Sequence, residues 1–393
     1  MTFAQLWAEI APIGREEKGG YLRYAFSPPE LALRAWFRDH AGRRGLAVTD
    51  DGNGNLVAWW GEPWGPDAVL TGSHFDSVPH GGGYDGPLGI VSAFLAVDLL
   101  RERGVTPARP IGVAAFAEEE GGRFGVPCLG SRLVTGAIDP ERAAALRDAD
   151  GVTFAEALGA RPAGARPDLV GRLSAVVELH IEQGKALVDR DAAVGVASAI
   201  WPHGRWRMEF TGTGDHAGTT RMADRRDPML TFAFTVLAAN KEARLQGAHA
   251  TVGRVSVEPG ATNAIPSLVR GWLDARAADT PTLDRLVDAV VKRATERAGR
   301  DGTEFAIEPE SVSPEVAFDT ALAGRLSGIL GGAPILPTGA GHDAGVLSAH
   351  VPTAMLFVRN PTGVSHSPAE HASDEDCTEG VTALADVLAE LTA

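Results

Sequence analysis

The feature that most constrains this chain is the recurrence of short apolar runs, each followed by an amphipathic or polar stretch. Residues 68–75 (AVLTGSHF) read as a buried strand, and 87–103 (PLGIVSAFLAVDLLRER) as a helix closed by Gly104. Further strands are expected at 110–117, 173–181 and 352–358, with a last helix around 378–391. Strands that alternate with helices in this way pair through crossovers and build a mainly parallel sheet covered on both faces. The predicted class is α/β.

Residues 205–312 follow a different pattern. RWRMEFTGT alternates like a half-exposed strand, a long helix is expected over 226–245, and HATVGRVSVE and SLVRGWLDAR read as two more strands. A helix opens at Thr280-Pro281, where a polar cap meets a proline in the first turn, and EFAIEPESV closes the unit. This β-α-β-β-α-β order predicts a small α+β domain inserted into the α/β pattern. Residues 1–204 and 313–393 would then form one domain and 205–312 the other. A chain of 393 residues is too long for one ordinary core, which agrees.

Charge narrows the partners. Thirty-six basic residues against 51 acidic ones give −15, a balance that argues against a nucleic-acid or anionic-membrane surface. An anionic substrate would need a locally positive pocket. The N-terminal stretch lacks a basic start followed by an apolar core, and no run of 18 apolar residues occurs, so neither a secretory signal nor a membrane span is expected. Cys128 and Cys377 are too few for a disulfide framework or a cysteine-based zinc site. These readings point to a cytoplasmic enzyme.

The candidate chemistry clusters at strand ends, where open α/β sheets bind their ligands. His74 and Asp76 end the first strand in GSHFDSV, and Asp85 follows in the glycine-rich HGGGYDGPLG. Glu118, Glu119 and Glu120 end the second strand, His180 ends the third in ELHIEQG, and His366 follows the last in GVSHSPAE. Three histidines and two carboxylates suit two adjacent divalent ions of the zinc or manganese type, with cobalt or nickel also accepted by such donors. Asp85, on a flexible loop, is the natural bridge, leaving His74 and His180 on one ion and Glu120 and His366 on the other. Asp76, two residues from His74, would point to the same side of the strand and accept the other imidazole N–H. One glutamate of the triplet should bind metal and its neighbour move the proton; Glu119 is assigned as base and Glu120 as ligand, although periodicity alone does not fix that register.

The motifs IGREEKGGYLRYAFS, GSHFDSVPHGGGYDGPLG, AFAEEEGGRF, LHIEQG, HAGTTRMADRRD, PGATNAIP, LDAR, GAGHDA and GVSHSPAE span almost the whole chain. Together they resemble the M20 metallopeptidase superfamily, in particular its amidase/hydantoinase/carbamoylase branch of allantoate amidohydrolases and N-carbamoyl-L-amino-acid hydrolases. The resemblance implies a two-metal catalytic domain and an inserted lid or dimerisation domain, hence a homodimer through residues 205–312. It puts His74, Asp85, Glu120, His180 and His366 on metal positions and Glu119 on the base position. It implies that His216 polarises the scissile carbonyl from across the dimer, and that Asn263 and Arg276 bind the substrate carboxylate. Gln183, Arg205 and His342 are further candidates for the pocket wall, while Arg225 and Asp227 would fix the HAGTT loop. Arg221 stands where many relatives have proline, and Glu118 replaces a common aspartate.

The expected function is hydrolysis of a ureido or carbamoyl C–N bond of a small carboxylate, with allantoate placed first. N-carbamoyl-L-amino acids or ureidopropionate are the alternative substrates. A metal-bound binding protein without catalysis is the alternative of another class, and the intact Glu119 argues against it.

Overall fold

The computed structural model describes residues 1–393. The chain divides into two compact units, Met1–Ala199 with Ala317–Ala393, and Ile200–Val316. Six strands open the chain: β1 (Ala47–Asp50), β2 (Leu56–Trp60), β3 (Ala68–His74), β4 (Ile111–Phe116), β5 (Leu173–Ile181) and β6 (Val194–Ile200). The second unit contributes β7 (His203–Thr211), β8 (Asp215–His216), β9 (His249–Glu258), β10 (Ala264–Ile265), β11 (Leu268–Arg276) and β12 (Glu304–Ser313). The chain then returns with β13 (Val316–Ala317), β14 (Ile335–Thr338) and β15 (Thr353–Val358).

The large sheet has the order β1-β2-β4-β3-β5-β15-β6-β13, with β14 on β6. Its centre is parallel: β3 pairs in parallel with β4 and β5, and β15 in parallel with β5. The flanks are antiparallel, through β1 with β2, β2 with β4, and β15 with β6. The four central strands are the ones the sequence marks as continuous apolar runs, and β3, β4 and β15 are buried along their whole length. Helix Pro87–Glu102 is buried over most of its circumference and packs against helix Asp374–Leu391. The latter starts earlier than its apolar pattern does. Ser373 accepts the Asp376 N–H, and three acids in the first turn complement the helix dipole. Close sheet packing explains Gly72 on β3, since a Cβ there would collide with the Ala114 carbonyl on the neighbouring strand.

The second unit is a four-stranded antiparallel sheet in the order β12-β7-β11-β9, built from β-α-β-β-α-β. Along β7 and β11, buried residues alternate with less buried ones. Met208, Phe210 and Leu273 from the strands meet Phe232, Leu286 and Val290 from helices Pro228–Gln246 and Thr280–Asp301. The first helix starts two residues later than 226 because Asp227 caps it, accepting the Met229 N–H. No helix in the chain is long and apolar enough to cross a membrane.

Candidate metal centre

The parallel strands β3, β4, β5 and β15 deliver their carboxyl ends to one edge of the large sheet. His74 is the last residue of β3, opposite Phe116 at the end of β4, and His180 on β5 lies opposite Phe357 on β15. Both imidazoles are buried. His74 Nδ1 bonds the Asp76 carbonyl at 2.9 Å, and His180 Nδ1 bonds the Ile181 carbonyl at 2.9 Å. A carbonyl can only accept, so each Nδ1 carries the hydrogen and each Nε2 presents a lone pair. Those two Nε2 atoms have no hydrogen-bond partner, yet lie 3.5 and 3.2 Å from Asp85 Oδ1. Two buried ring nitrogens facing one carboxylate oxygen are suited to hold a cation between them.

A second group adjoins the first through the other oxygen of Asp85. Asp85 Oδ2 lies 3.4 Å from His366 Nε2, which is 3.3 Å from Glu120 Oε2. His74, Asp85 and His180 form one set and Asp85, Glu120 and His366 another, each with ligand atoms within 4.8 Å of one another and able to hold an ion. His74, Asp85 and His180 would hold one ion and Asp85, Glu120 and His366 a second, Asp85 being common to both sets. Their electrostatics agree. Burial opposes charge on Asp85, yet His180, His366 and His74 hold its carboxyl well below the usual range. Asp85 and Glu120 push the His366 imidazolium up to about 11. A cluster that draws protons this strongly offers the same charge complement to a metal ion.

The glutamate triplet is sorted by a break in the backbone. Glu118 adopts φ 54, a left-handed conformation that turns the chain out of β4. Glu118 points away from the ligands, and its Oε1 accepts the N–H groups of Arg123 and Phe124 at 3.0 and 2.6 Å. Glu119 Oε2 lies 3.7 Å from His74 Nε2, and its Oε1 accepts the Cys128 thiol at 3.4 Å. Burial pushes the Glu119 carboxyl well above the usual range; His74 opposes the shift and Asp343, Glu120 and Asp76 add to it.

Asp76 differs from its sequence reading. The group that orients His74 is the main-chain carbonyl of Asp76, while the carboxylate stands 3.8 Å from Nδ1. That carboxylate accepts the Glu119 and Glu120 N–H groups at 3.1 and 3.0 Å instead. The reason is local: β3 stops at His74, so Asp76 lies beyond the strand and the same-side rule does not reach it.

Around the bridge, Gln183 Nε2 donates to Asp85 Oδ2 at 2.9 Å and to Ser365 Oγ at 3.1 Å, and Ser365 Oγ donates to Asp85 Oδ2 at 3.2 Å. His342 is buried with its ring centroid 4.5 Å from that of His180, and neither ring nitrogen has a partner. Burial and the neighbouring His180 hold its pKa well below the ordinary value, so this imidazole is neutral. Ser365, Cys128 and Glu370 carry no role in the sequence reading. Glu370 has a visible signal, its place inside GVSHSPAE; Cys128 has none.

The remaining sequence candidates belong to the second unit. His216 is exposed on β8, paired with Ala264 on β10, and the Ala217 N–H donates to the Asn263 carbonyl at 3.0 Å. His216 and Asn263 thus share one loop cluster. Arg276 and Arg205 share Asp274, through Nε contacts of 2.9 and 3.3 Å. Arg225 clamps the HAGTT loop through the Ala217 and Thr220 carbonyls. The two clusters stand at opposite ends of β11. Leu268 faces Thr211 at one end and Arg276 faces His203 at the other, a separation of roughly 26 Å at about 3.3 Å per residue.

Comparison with known proteins places this arrangement. The model of peptidase family M20/M25/M40 matches residues 70–390. The N-carbamoyl-L-amino acid amidohydrolase of Geobacillus stearothermophilus is 38% identical over 97% of this chain and 96% of its own length. The allantoate amidohydrolase of Escherichia coli K12 is 32% identical over 97% of this chain and 95% of its own. A crystal structure of an amidase of the hydantoinase/carbamoylase family from Burkholderia multivorans superposes with a TM-score of 0.87, at 32% identity and 99% and 98% coverage. The family is metal-dependent. The chain belongs to peptidase family M20/M25/M40, and it is a hydrolase of C–N bonds of that family's amidohydrolase type.

Proposed function

We propose that the protein hydrolyses the ureido or carbamoyl C–N bond of a small carboxylate, with two divalent ions, zinc or manganese, held by His74, Asp85, Glu120, His180 and His366. The observation that carries this reading is the pair of orphaned Nε2 atoms facing one oxygen of Asp85 while the other oxygen faces Glu120 and His366. When bound, the ions supply Lewis acidity at the scissile carbonyl and toward the attacking water. Glu119 takes the proton of that water on its carboxylate and returns it to the leaving nitrogen. Burial makes Glu119 more basic than an ordinary carboxylate, which suits it to accept and hold a proton. His216 donates to the carbonyl oxygen as it gains charge, and Asn263 and Arg276 bind the substrate carboxylate. Gln183 and Ser365 hold the bridging carboxylate from the pocket side, and the neutral His342 packs on His180.

Among substrates, allantoate is the first choice from overall resemblance in sequence, since the shared motifs do not separate the candidates. The higher identity to a relative named for N-carbamoyl-L-amino acids, 38% against 32%, favours those compounds. A panel of allantoate, N-carbamoyl-L-amino acids and ureidopropionate, with added manganese or zinc, is expected to give rapid turnover of N-carbamoyl-L-amino acids. Faster turnover of allantoate restores the first choice, and no turnover of any ureido compound by metal-loaded protein supports a binding role instead. Replacing Arg276 by alanine should act mainly on KM. A hydrogen bond to a charged group contributes about 1.5–3 kcal/mol, which is about a 12- to 160-fold rise. An unchanged KM returns Arg276 to its pairing with Asp274.

The separation of the His216–Asn263 and Arg276 clusters supports a homodimer. A small substrate held by Arg276 of one copy cannot reach His216 or Asn263 of the same copy along a strand of that length, so a second copy would supply both. The second unit offers a surface for this. Leu230, Leu237 and Leu245 are exposed on one face of helix Pro228–Gln246, and β9 is an unpaired sheet edge packed beside that helix. Sedimentation should find a dimer; a fully active monomer would remove His216 from the shared site.

A further inference from the structure

Glu370 lies four residues beyond His366, and the proposed reaction makes no use of it. Its side chain is buried, and one oxygen, Oε1, accepts two main-chain donors, the Tyr84 N–H at 2.9 Å and the Asp85 N–H at 3.0 Å. The loop opposite is shaped to admit it: a Cβ at Gly82 would collide with the Glu370 carboxyl. On its own side, the Glu370 N–H closes a turn onto the Ser367 carbonyl at 3.1 Å, directly after His366 with its φ of 53.

The geometry of Asp85 makes this contact matter. Its carboxylate must present Oδ1 to His74 and His180 and Oδ2 to Glu120 and His366. The side chain is held by Gln183 and Ser365, but its main chain runs through a glycine-rich loop with wide backbone freedom. Two N–H donors on one carboxyl oxygen fix the peptide planes on both sides of Tyr84. We propose that Glu370 is a positioning residue that latches the Asp85 loop to the His366 loop, so that the bridging carboxylate and the outer histidine meet the second ion together. This rests on the two-ion reading.

The test is metal uptake rather than turnover. Wild type, Glu370→Ala and Glu370→Gln are stripped with chelator, titrated with Mn²⁺ by calorimetry, and analysed for metal content, with thermal melts to establish folding. Wild type should bind two ions. Glu370→Ala should keep the ion between His74 and His180 and bind the other at least about tenfold more weakly, because only Glu120 and His366 then remain well placed. Glu370→Gln keeps an oxygen that can accept both N–H groups, so its second-site affinity should stay within about threefold of wild type, a rescue that a merely structural role does not require. Equal binding by Glu370→Ala and wild type overturns the latch, as does a folded Glu370→Gln whose second-site affinity drops tenfold or more, even if the alanine variant does not fold. A wild type that takes up no ion overturns the metal centre itself, and the latch with it.

Discussion

Replacing Glu119 by glutamine should lower kcat by about 10²–10⁴-fold while both ions remain bound, the usual share of general acid–base catalysis. The substitution is nearly isosteric, and Glu119 belongs to neither set of three candidate ligands. Its main-chain carbonyl would still accept the Cys128 N–H at 2.7 Å, and its N–H would still reach Asp76 Oδ1, so the strand end should stay in place. What the variant loses is the ability to accept the proton of the attacking water. Metal analysis beside steady-state kinetics checks both halves. Near-wild-type turnover moves the base elsewhere; loss of an ion makes Glu119 a ligand.

Chelation should abolish turnover and lower the unfolding midpoint, and manganese or zinc should restore both. Asp76, Asp85 and Glu119 are buried, each with a carboxylate oxygen within 3.8 Å of a His74 ring nitrogen, and Asp76 also accepts the Glu120 N–H. Without cations these carboxylates repel and are poorly solvated, so binding of ions to the folded state alone favours folding. At a free concentration 100 times its Kd, one ion contributes about 2.7 kcal/mol. Calorimetric scans with and without chelator measure this directly. An unchanged midpoint together with undiminished activity contradicts the metal centre.

Much of the catalytic sheet is legible in the sequence because its central strands are buried on both faces and must be apolar throughout. The β1–β2 hairpin is not, for the opposite reason. Its strands are four and five residues long, and the turn between them, DGNGN, holds no large apolar residue. In the structure Asp51, Asn53 and Asn55 are buried, and Asn55 bonds the Ala117 N–H and the Gly130 carbonyl, bracing the turn that carries the glutamates. A buried polar network looks like a loop until its partners are known.

The site divides along the same line. His74, His180 and His366 are legible because strand ends converge on one edge of a parallel sheet, a consequence of topology alone. The different surroundings of Glu118, Glu119 and Glu120 follow a left-handed residue at 118, which no periodicity reveals. Asp76 misleads because its expected orientation assumes two more residues of strand than β3 contains. Glu370 stands in a visible motif, but its partners do not, since the amides it holds are 286 and 285 residues away in the chain.

The proposed pair of ions sharing Asp85 and serving ureido hydrolysis meets its most direct test in one titration. Chelator-stripped protein is supplied with increasing equivalents of Mn²⁺, and release of ammonia from an N-carbamoyl-L-amino acid and from allantoate is followed at each step. Activity on at least one of them should be absent at the start, rise with added metal and level off at two equivalents per chain. Full activity before any metal is added, or saturation at a single equivalent, would contradict the bridged pair.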